Sequence, residues 1–280
     1  MNNIILVDTS YTAFYRFFAT MRWFSMAHKE EMTKIKETPN YNWFTNKVFI
    51  EKYEKMFLTS IEKIVKKKVF KNSMIIFCLD SPKKTLWRTE ITDDYKGDRL
   101  DMSIKNNFKP VFKYTYGTMI PLLVENNDHI HSIIQNELEA DDLVALSCKY
   151  IREKFEGKTI YLVSGDEDFL QLGDDDLHFV NYKKKKMFQL TKEEAEDKLR
   201  LKLVCGDKSD NIKCIYSKED KLSNKLKKQI KESKEELDKF LKENSKAKKN
   251  YKHNEKMIDF KKIPKKYNKT VYAKLKNIFL

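Results

Sequence analysis

The sequence predicts an α/β protein: a mostly parallel central sheet flanked by helices, followed by a basic, all-helical C-terminal part. Three observations carry this. Short apolar runs rich in β-formers, without polar alternation, recur along residues 1–190, as expected of strands buried on both faces. Longer segments with helical spacing lie between them, and that alternation favours parallel strands with helices on both faces. Charge then divides the chain: residues 201–280 hold 24 Lys and Arg against 11 Asp and Glu, whereas residues 1–200 hold 32 against 31.

"IILVD" (Ile4–Asp8) reads as the first strand and residues 11–22 as an aromatic helix. Residues 25–45 are polar and read as irregular. From Val48 to Val65, Phe49, Tyr53, Met56, Phe57, Ile61, Ile64 and Val65 return at helical spacing. "SMIIFCLD" (Ser73–Asp80) is the second strand, and the charged segment 81–110 leads to a helix over 110–126. "HIHSIIQ" (His129–Gln135) is a third strand, 140–155 a helix, "TIYLVSGD" (Thr159–Asp166) a fourth strand and "DLHFVNY" (Asp176–Tyr182) a fifth, followed by a turn at Lys183–Lys186. The chain divides at 190/191, where the basic helical part begins.

A chain of 280 residues, 41% hydrophobic, can bury a sizeable core. Its net charge of +14, concentrated near the C-terminus, suits a polyanion, with nucleic acid the first candidate and an anionic membrane the second; a Lys-rich solvated tail is the plainer alternative. Cys78, Cys148, Cys205 and Cys214 are widely spaced, which fits a reducing, intracellular setting. No charged-then-apolar leader appears and no apolar run approaches 18 residues, so neither a signal peptide nor a membrane span is expected.

Three of these strands end in aspartate, at Asp8, Asp80 and Asp166. Ligands of an open parallel sheet bind beyond the carboxyl ends of its strands. "ELEADD" brings Glu139, Asp141 and Asp142 to the same edge, Glu139 just before a helix and the aspartates in its first turn, where the helix dipole favours anions. Asp168 lies two residues beyond Asp166, and "CGDKSDNI" offers Asp207 and Asp210, three apart on one turn face. Nine converging carboxylates without His or Cys suit Mg²⁺ or Mn²⁺ rather than Zn²⁺. Two such ions can cleave a phosphodiester. Taken singly, each strand-end aspartate reads first as a cap or turn residue; the nine together point to a site. Glu137 reads as solvated, Gly173–Asp176 as a charged turn, and His129 and His131 as packing residues.

"LVDTSYTAFYRFFA", "CLDSPKKTLWRTEITDDYKGDR", "ELEADD", "SGDEDFLQL" and "CGDKSDNI" resemble, in order, the signature segments of the 5′-nuclease superfamily of flap endonucleases and 5′→3′ exonucleases. The likeness covers roughly residues 3–212. "NYKHNEKMIDFKKIPKKY" is similar to the T-even bacteriophage ribonuclease H branch, and the Gly-rich helix–hairpin–helix turn of most relatives is absent. The resemblance implies a PIN-like core with an arch segment at 81–110, and a phage or viral replication and repair nuclease. It implies two Mg²⁺ ions, with Mn²⁺ able to substitute. Asp8, Asp80, Glu139 and Asp141 would form the inner cluster, while Asp142, Asp166, Asp168, Asp207 and Asp210 would complete it and hold the second ion. Lys96 would stabilise charge on the scissile phosphate, Arg99 would add a phosphate contact, Tyr95 would stack on a base and Arg88 would anchor the strand.

The implied substrates are DNA and RNA–DNA hybrids with a 5′ flap or nick, cut by a monomer. Leu275, Ile278 and Phe279 are spaced loosely like a sliding-clamp-binding tail, although docking of a last helix on the core explains them too. A single-strand-binding protein is a second candidate partner. Two rival functions stay open: a DNA-binding protein of the same fold without catalysis, and a PIN-domain ribonuclease.

Overall fold

The computed structural model describes residues 2–82, 85–97, 108–217 and 219–280. Six strands form one sheet: β1 (Asn3–Asp8), β2 (Ser73–Leu79), β3 (Ile130–Ile134), β4 (Thr159–Val163), β5 (Leu177–Asn181) and β6 (Lys186–Phe188). Their order is β3-β2-β1-β4-β5-β6, parallel except for the β5–β6 pair. The winding reverses at β1, between β2 on one side and β4 on the other. This is the switch point at which open α/β sheets bind ligands.

The twofold period of a strand sorts β1 between two cores. Ile5 and Val7 join Ile75, Phe77 and Val163 against α1 (Thr9–Ala27) and α3 (Lys47–Val65). Ile4 and Leu6 join Ile76, Cys78 and Leu162 on the opposite face. In α3, Phe49, Tyr53, Phe57 and Ile61 are fully buried at four-residue spacing, and each buried side chain of this kind contributes about 1.5–3 kcal/mol over leaving it exposed. Asn46 starts α3 by accepting a hydrogen bond from the Phe49 amide at 3.0 Å.

The segment read as irregular contains α2 (Lys29–Lys36) and a 3-10 turn, Trp43–Thr45. Only Ile35 of α2 is buried, so its apolar periodicity is faint, while Trp43 anchors the turn in the core. Short α4 (Lys67–Lys71) leads into β2. The helix expected over 110–126 is α5 (Lys109–Tyr114), a π-helical turn at Thr115–Met119, and α6 (Ile120–Glu125). The short, edge-lying β6 also went unread: Lys186, assigned to a turn, pairs with Asn181.

Beyond β3 come α7 (Ala140–Lys154) and α8 (Lys192–Cys205), then α9 (Asn224–Glu232), α10 (Lys234–Glu243), α11 (Ser245–Ile258) and α12 (Lys266–Phe279). Caps set the abrupt turns between them. Thr191 and Glu194 form a capping box, and Ser223, Ser233 and Asn244 each accept a backbone N–H at the start of the next helix. Val204, Ile215, Ile230, Leu237, Phe240 and Ala247 form a small core of their own. The final helix instead returns to the main core: Val271 and Leu275 are fully buried, and Phe279 packs against Phe155. Among the described residues no helix is long and apolar enough to cross a membrane.

Candidate metal centre

The acidic group assembles where β1, β2 and β4 end. Asp8 caps α1 by accepting from the Tyr11 amide at 3.1 Å, and it accepts from the Ser164 hydroxyl at 2.9 Å. Burial, with the neighbouring Asp80 charge, pushes its pKa up to about 7. Asp80 accepts from the Ala140 amide at 2.7 Å and from the Ser10 hydroxyl, and burial raises its pKa too. Tyr116, from the π-turn, brings its hydroxyl to 2.7 Å from Ser10 and 3.4 Å from Asp80. A β-carbon at Gly165 would lie 2.0 Å from the Tyr11 hydroxyl, so any larger residue would have to displace the Tyr11 ring where the chain leaves β4 beside α1. That approach brings Asp166 near enough to act electrostatically on both Asp8 and Asp141.

The start of α7 supplies the next acids. Glu139 accepts from Lys96 Nζ at 2.6 Å, Tyr95 Oη at 2.7 Å and Arg88 Nη1 at 3.0 Å. Burial alone would raise its pKa, but Lys96 and Arg88 outweigh burial and hold it at about 2. At Asp141 compensation falls short: burial raises its pKa well above the usual range, Lys96 lowers it only in part, and Asp8, Asp166 and Glu139 add to the rise. Among the described residues no donor engages its carboxylate.

The third contribution comes from the turn after α8. Gly206 has φ of +70°, and a β-carbon there would sit 2.4 Å from the Ile212 carbonyl oxygen, so glycine closes the turn. Asp207 pairs with Ile212 across it and caps a 3-10 turn, Lys208–Asp210, by accepting from the Ser209 amide at 2.7 Å. Asp168 lies in the 3-10 turn Glu167–Leu172, capped by Asp166. Carboxylate oxygens of Asp168, Asp207 and Asp210 lie within 4.8 Å of one another. Lys202 Nζ stands 2.9 Å from Asp207 and against Asp168. Although burial raises the Asp207 pKa, its bonds to Lys202 and Ser209 bring it below the ordinary value. Asp141, Asp168, Asp207 and Asp210 line a cleft of about 10 Å³, roughly the room one water-sized sphere needs. A cavity of about 400 Å³, between α7, α8 and the Phe260–Asn268 segment, contains none of these acids.

Eight of the nine singled-out acids therefore gather: Asp8, Asp80, Glu139, Asp141, Asp166, Asp168, Asp207 and Asp210. Asp142 does not. It is fully buried behind Glu139, accepting from Trp87 Nε1 at 2.9 Å, Arg88 Nη1 at 2.9 Å and the Glu139 amide at 3.2 Å. Two further expectations need correction. Arg88 is 3% exposed, its guanidinium spent on Glu139, Asp142 and the Met257 carbonyl, so it supports the acids instead of reaching for a strand. Tyr95 is also buried, its hydroxyl shared between Glu139 and Asp210. Lys96 lies between Glu139 and Asp210, at 2.6 and 3.7 Å. Arg99 lies outside the described residues. Glu137, read as solvated, accepts from Tyr267 Oη at 2.5 Å and Lys266 Nζ at 3.3 Å. Sequence reasoning missed Ser164, Tyr116 and Lys202; a lone Lys five residues before Asp207 gives no signal by itself.

Residues 3–200 match the family model described as 5′-3′ exonuclease, N-terminal resolvase-like domain. A 5′-3′ exonuclease of Buchnera aphidicola subsp. Schizaphis graminum is 30% identical over 165 residues, 55% of this chain and 52% of that protein. The ribonuclease H of Enterobacteria phage T4 is 26% identical over 182 residues, 62% of this chain and 57% of that protein. The matches thus span about half the length of these curated relatives. The T5 D15 protein, co-crystallised with metal ions, shares the fold at TM-score 0.66 and 15% identity over 99% of both chains. The bacteriophage T5 D15 flap endonuclease, in a complex with DNA and metal ions, gives a TM-score of 0.64 at 14% identity, covering 99% of this chain and 98% of the other. By the extent of the family match, this chain is a member of the 5′-3′ exonuclease family.

Proposed function

We propose that the chain is a divalent-metal-dependent 5′→3′ exonuclease and flap endonuclease. On this reading it hydrolyses phosphodiesters near the 5′ end of flapped or nicked DNA and of RNA–DNA primers. The observation that carries the proposal is the convergence of eight carboxylates from β1, β2, β4, α7 and the Asp207–Asp210 turn on one sheet edge. The donor set fits hard cations: every donor is oxygen, and burial leaves Asp8, Asp80 and Asp141 short of positive charge. Mg²⁺ is the proposed ion, two per chain, with Mn²⁺ able to replace it.

Asp8, Asp80, Glu139, Asp141 and Asp166 would hold one ion, and Asp168, Asp207 and Asp210 the other. When bound, such ions activate water and stabilise the leaving oxygen. The chain supplies the rest. Arg88 and Trp87 fix Asp142, which fixes the Glu139 amide and the start of α7. Lys96, swung from Glu139 onto the scissile phosphate, stabilises its developing charge, and Arg99 adds a phosphate contact. Residues 1–190 act as the nuclease core and 191–280 as the nucleic-acid-binding region, which also returns Asp207 and Asp210 to the metal centre.

The test is Mg²⁺ titration with the full chain on 5′-labelled flap, nicked and RNA–DNA substrates. Cleavage near the 5′ end that EDTA abolishes supports the proposal. Binding without cleavage makes the chain an inactive structure-specific DNA-binding protein, and cleavage of single-stranded RNA alone makes it a PIN-domain ribonuclease. A monomer is proposed, tested by light scattering. A sliding clamp or single-strand-binding protein is a further proposed partner, but the tail expected to meet a clamp is engaged by the core. Faster flap cleavage on adding either protein supports it; no change with both refutes it.

A further inference from the structure

We infer that the outward face of α11 docks the phosphate backbone of duplex nucleic acid, in fixed register with the acidic group. This deepens the nuclease reading and rests on it. Helix α11 carries Lys246, Lys248, Lys249, Lys252 and Lys256 against one acid, Glu255. Lys248, Lys252 and Lys256 form a row with a spacing of about 6 Å along the helix axis. Lys249 stands beside them, and all four are exposed. The opposite face is buried through Ala247, Asn254, Met257 and Ile258. With Ile91 from the segment before Lys96, the four lysines line a groove of about 490 Å³. Among the described residues none of the four is paired with a carboxylate.

Two contacts fix this row relative to the acids. Buried Asn254 donates to the Leu203 carbonyl at 2.8 Å and the Lys213 carbonyl at 2.9 Å, clamping both limbs of the turn that carries Asp207 and Asp210. The Met257 carbonyl accepts from Arg88 Nε at 2.8 Å, and the same guanidinium holds Glu139 and Asp142. Lysines held by these contacts beside a cleavage centre set where a duplex lies relative to it. Among the described residues the groove is lined by no Phe, Tyr or Trp, and its one ring, the imidazole of His253, is too small a platform for a run of unpaired bases, which favours a duplex backbone over a single strand. No glycine follows Gly206, so the C-terminal part has no glycine turn to bring backbone N–H groups onto phosphates. Side-chain charge takes that role.

The test compares the full chain with the triple variant Lys248→Gln, Lys252→Gln, Lys256→Gln. A control triple, Lys63→Gln, Lys67→Gln, Lys68→Gln, removes the same charge from exposed positions on α3 and α4. Affinity for a fluorescent nicked duplex and for a fluorescent single strand is measured in EDTA across a salt series, and melting temperatures confirm folding. Each lost phosphate contact flattens the slope of log affinity against log salt by about 0.9 on a duplex and about 0.7 on a single strand. The α11 triple is expected to flatten the duplex slope by about 2–3 and to lose more than about tenfold in affinity at 0.1 M salt, with the control near wild type. An α11 triple that matches the control overturns the inference, and wild-type cleavage in Mg²⁺ then leaves the nuclease reading standing. A slope change confined to single strands overturns the duplex assignment. Wild-type protein that neither binds nor cleaves takes both readings down.

Discussion

Replacing Arg88 by Met tests how the acidic group is held. The guanidinium is 3% exposed and touches Glu139 at 3.0 Å, Asp142 at 2.8 Å and the Met257 carbonyl at 2.8 Å. The contact between Nη2 and Asp142 Oδ1 is an ion pair off the hydrogen-bonding line. Arg88→Met keeps the volume but leaves two buried carboxylates without this cation and one carbonyl without its donor. Removing one partner of a buried ion pair costs about 3–5 kcal/mol. Unfolding entropy of about 2.1 cal/mol/K per residue gives roughly 0.6 kcal/mol per degree for this chain, so calorimetry should show Tm falling by about 5–8 °C. Adding Asp142→Leu removes the stranded charge, and the double variant should recover about 1–3 kcal/mol relative to the sum of the singles. The sign with pH follows from Glu139, whose pKa falls from 4.5 to about 2 on folding. Its contribution is complete above 4.5 and is lost as pH drops toward 2, so Arg88→Met should flatten the acid limb of the stability curve. A Tm change below about 1 °C, or strict additivity with Asp142→Leu, would refute the reasoning.

The remaining predictions concern the metal and the turn. Asp8 has its pKa raised from 3.8 to about 7 on folding. The metal-free fold therefore loses stability as pH rises between those values, and the Tm gain from Mg²⁺ should grow from pH 5 to pH 8; scanning fluorimetry checks this. Lys96→Ala should lower single-turnover flap cleavage by about 10²–10³-fold, the usual loss for a transition-state charge donor; a loss below tenfold removes Lys96 from the chemistry. Gly206→Ala forces a strained φ and a clash with the Ile212 carbonyl. It should destabilise the fold by about 1–3 kcal/mol and abolish the Mg²⁺-dependent Tm gain.

The parallel sheet was legible because β1, β2 and β4 are buried on both faces, leaving uninterrupted apolar runs that end in Asp8, Asp80 and Asp166. Parallel neighbours put those ends side by side, so the acids could be gathered without coordinates. Asp141 and Asp142 could not be told apart. Both stand in the first turn of α7, about 100° apart around the axis, and only the position of Arg88 and Trp87 decides which faces inward. Arg88 and Tyr95 were misread for a related reason. Their segment is polar and reads as exposed, yet Leu203, Ile212, Met257 and Ile258, more than a hundred residues away, close over it. Lys202 follows the same rule, since no local pattern marks a lysine that reaches back across a turn to Asp207.

The most direct measurement is anomalous diffraction from crystals of the full chain soaked in Mn²⁺. Two peaks are expected on the sheet edge, one bounded by Asp8, Asp80, Glu139, Asp141 and Asp166 and the other by Asp168, Asp207 and Asp210, with Lys96 and Lys202 withdrawn from the acids they now pair. Ordered carboxylates with no manganese among them, at concentrations that saturate other sites, would contradict this expectation.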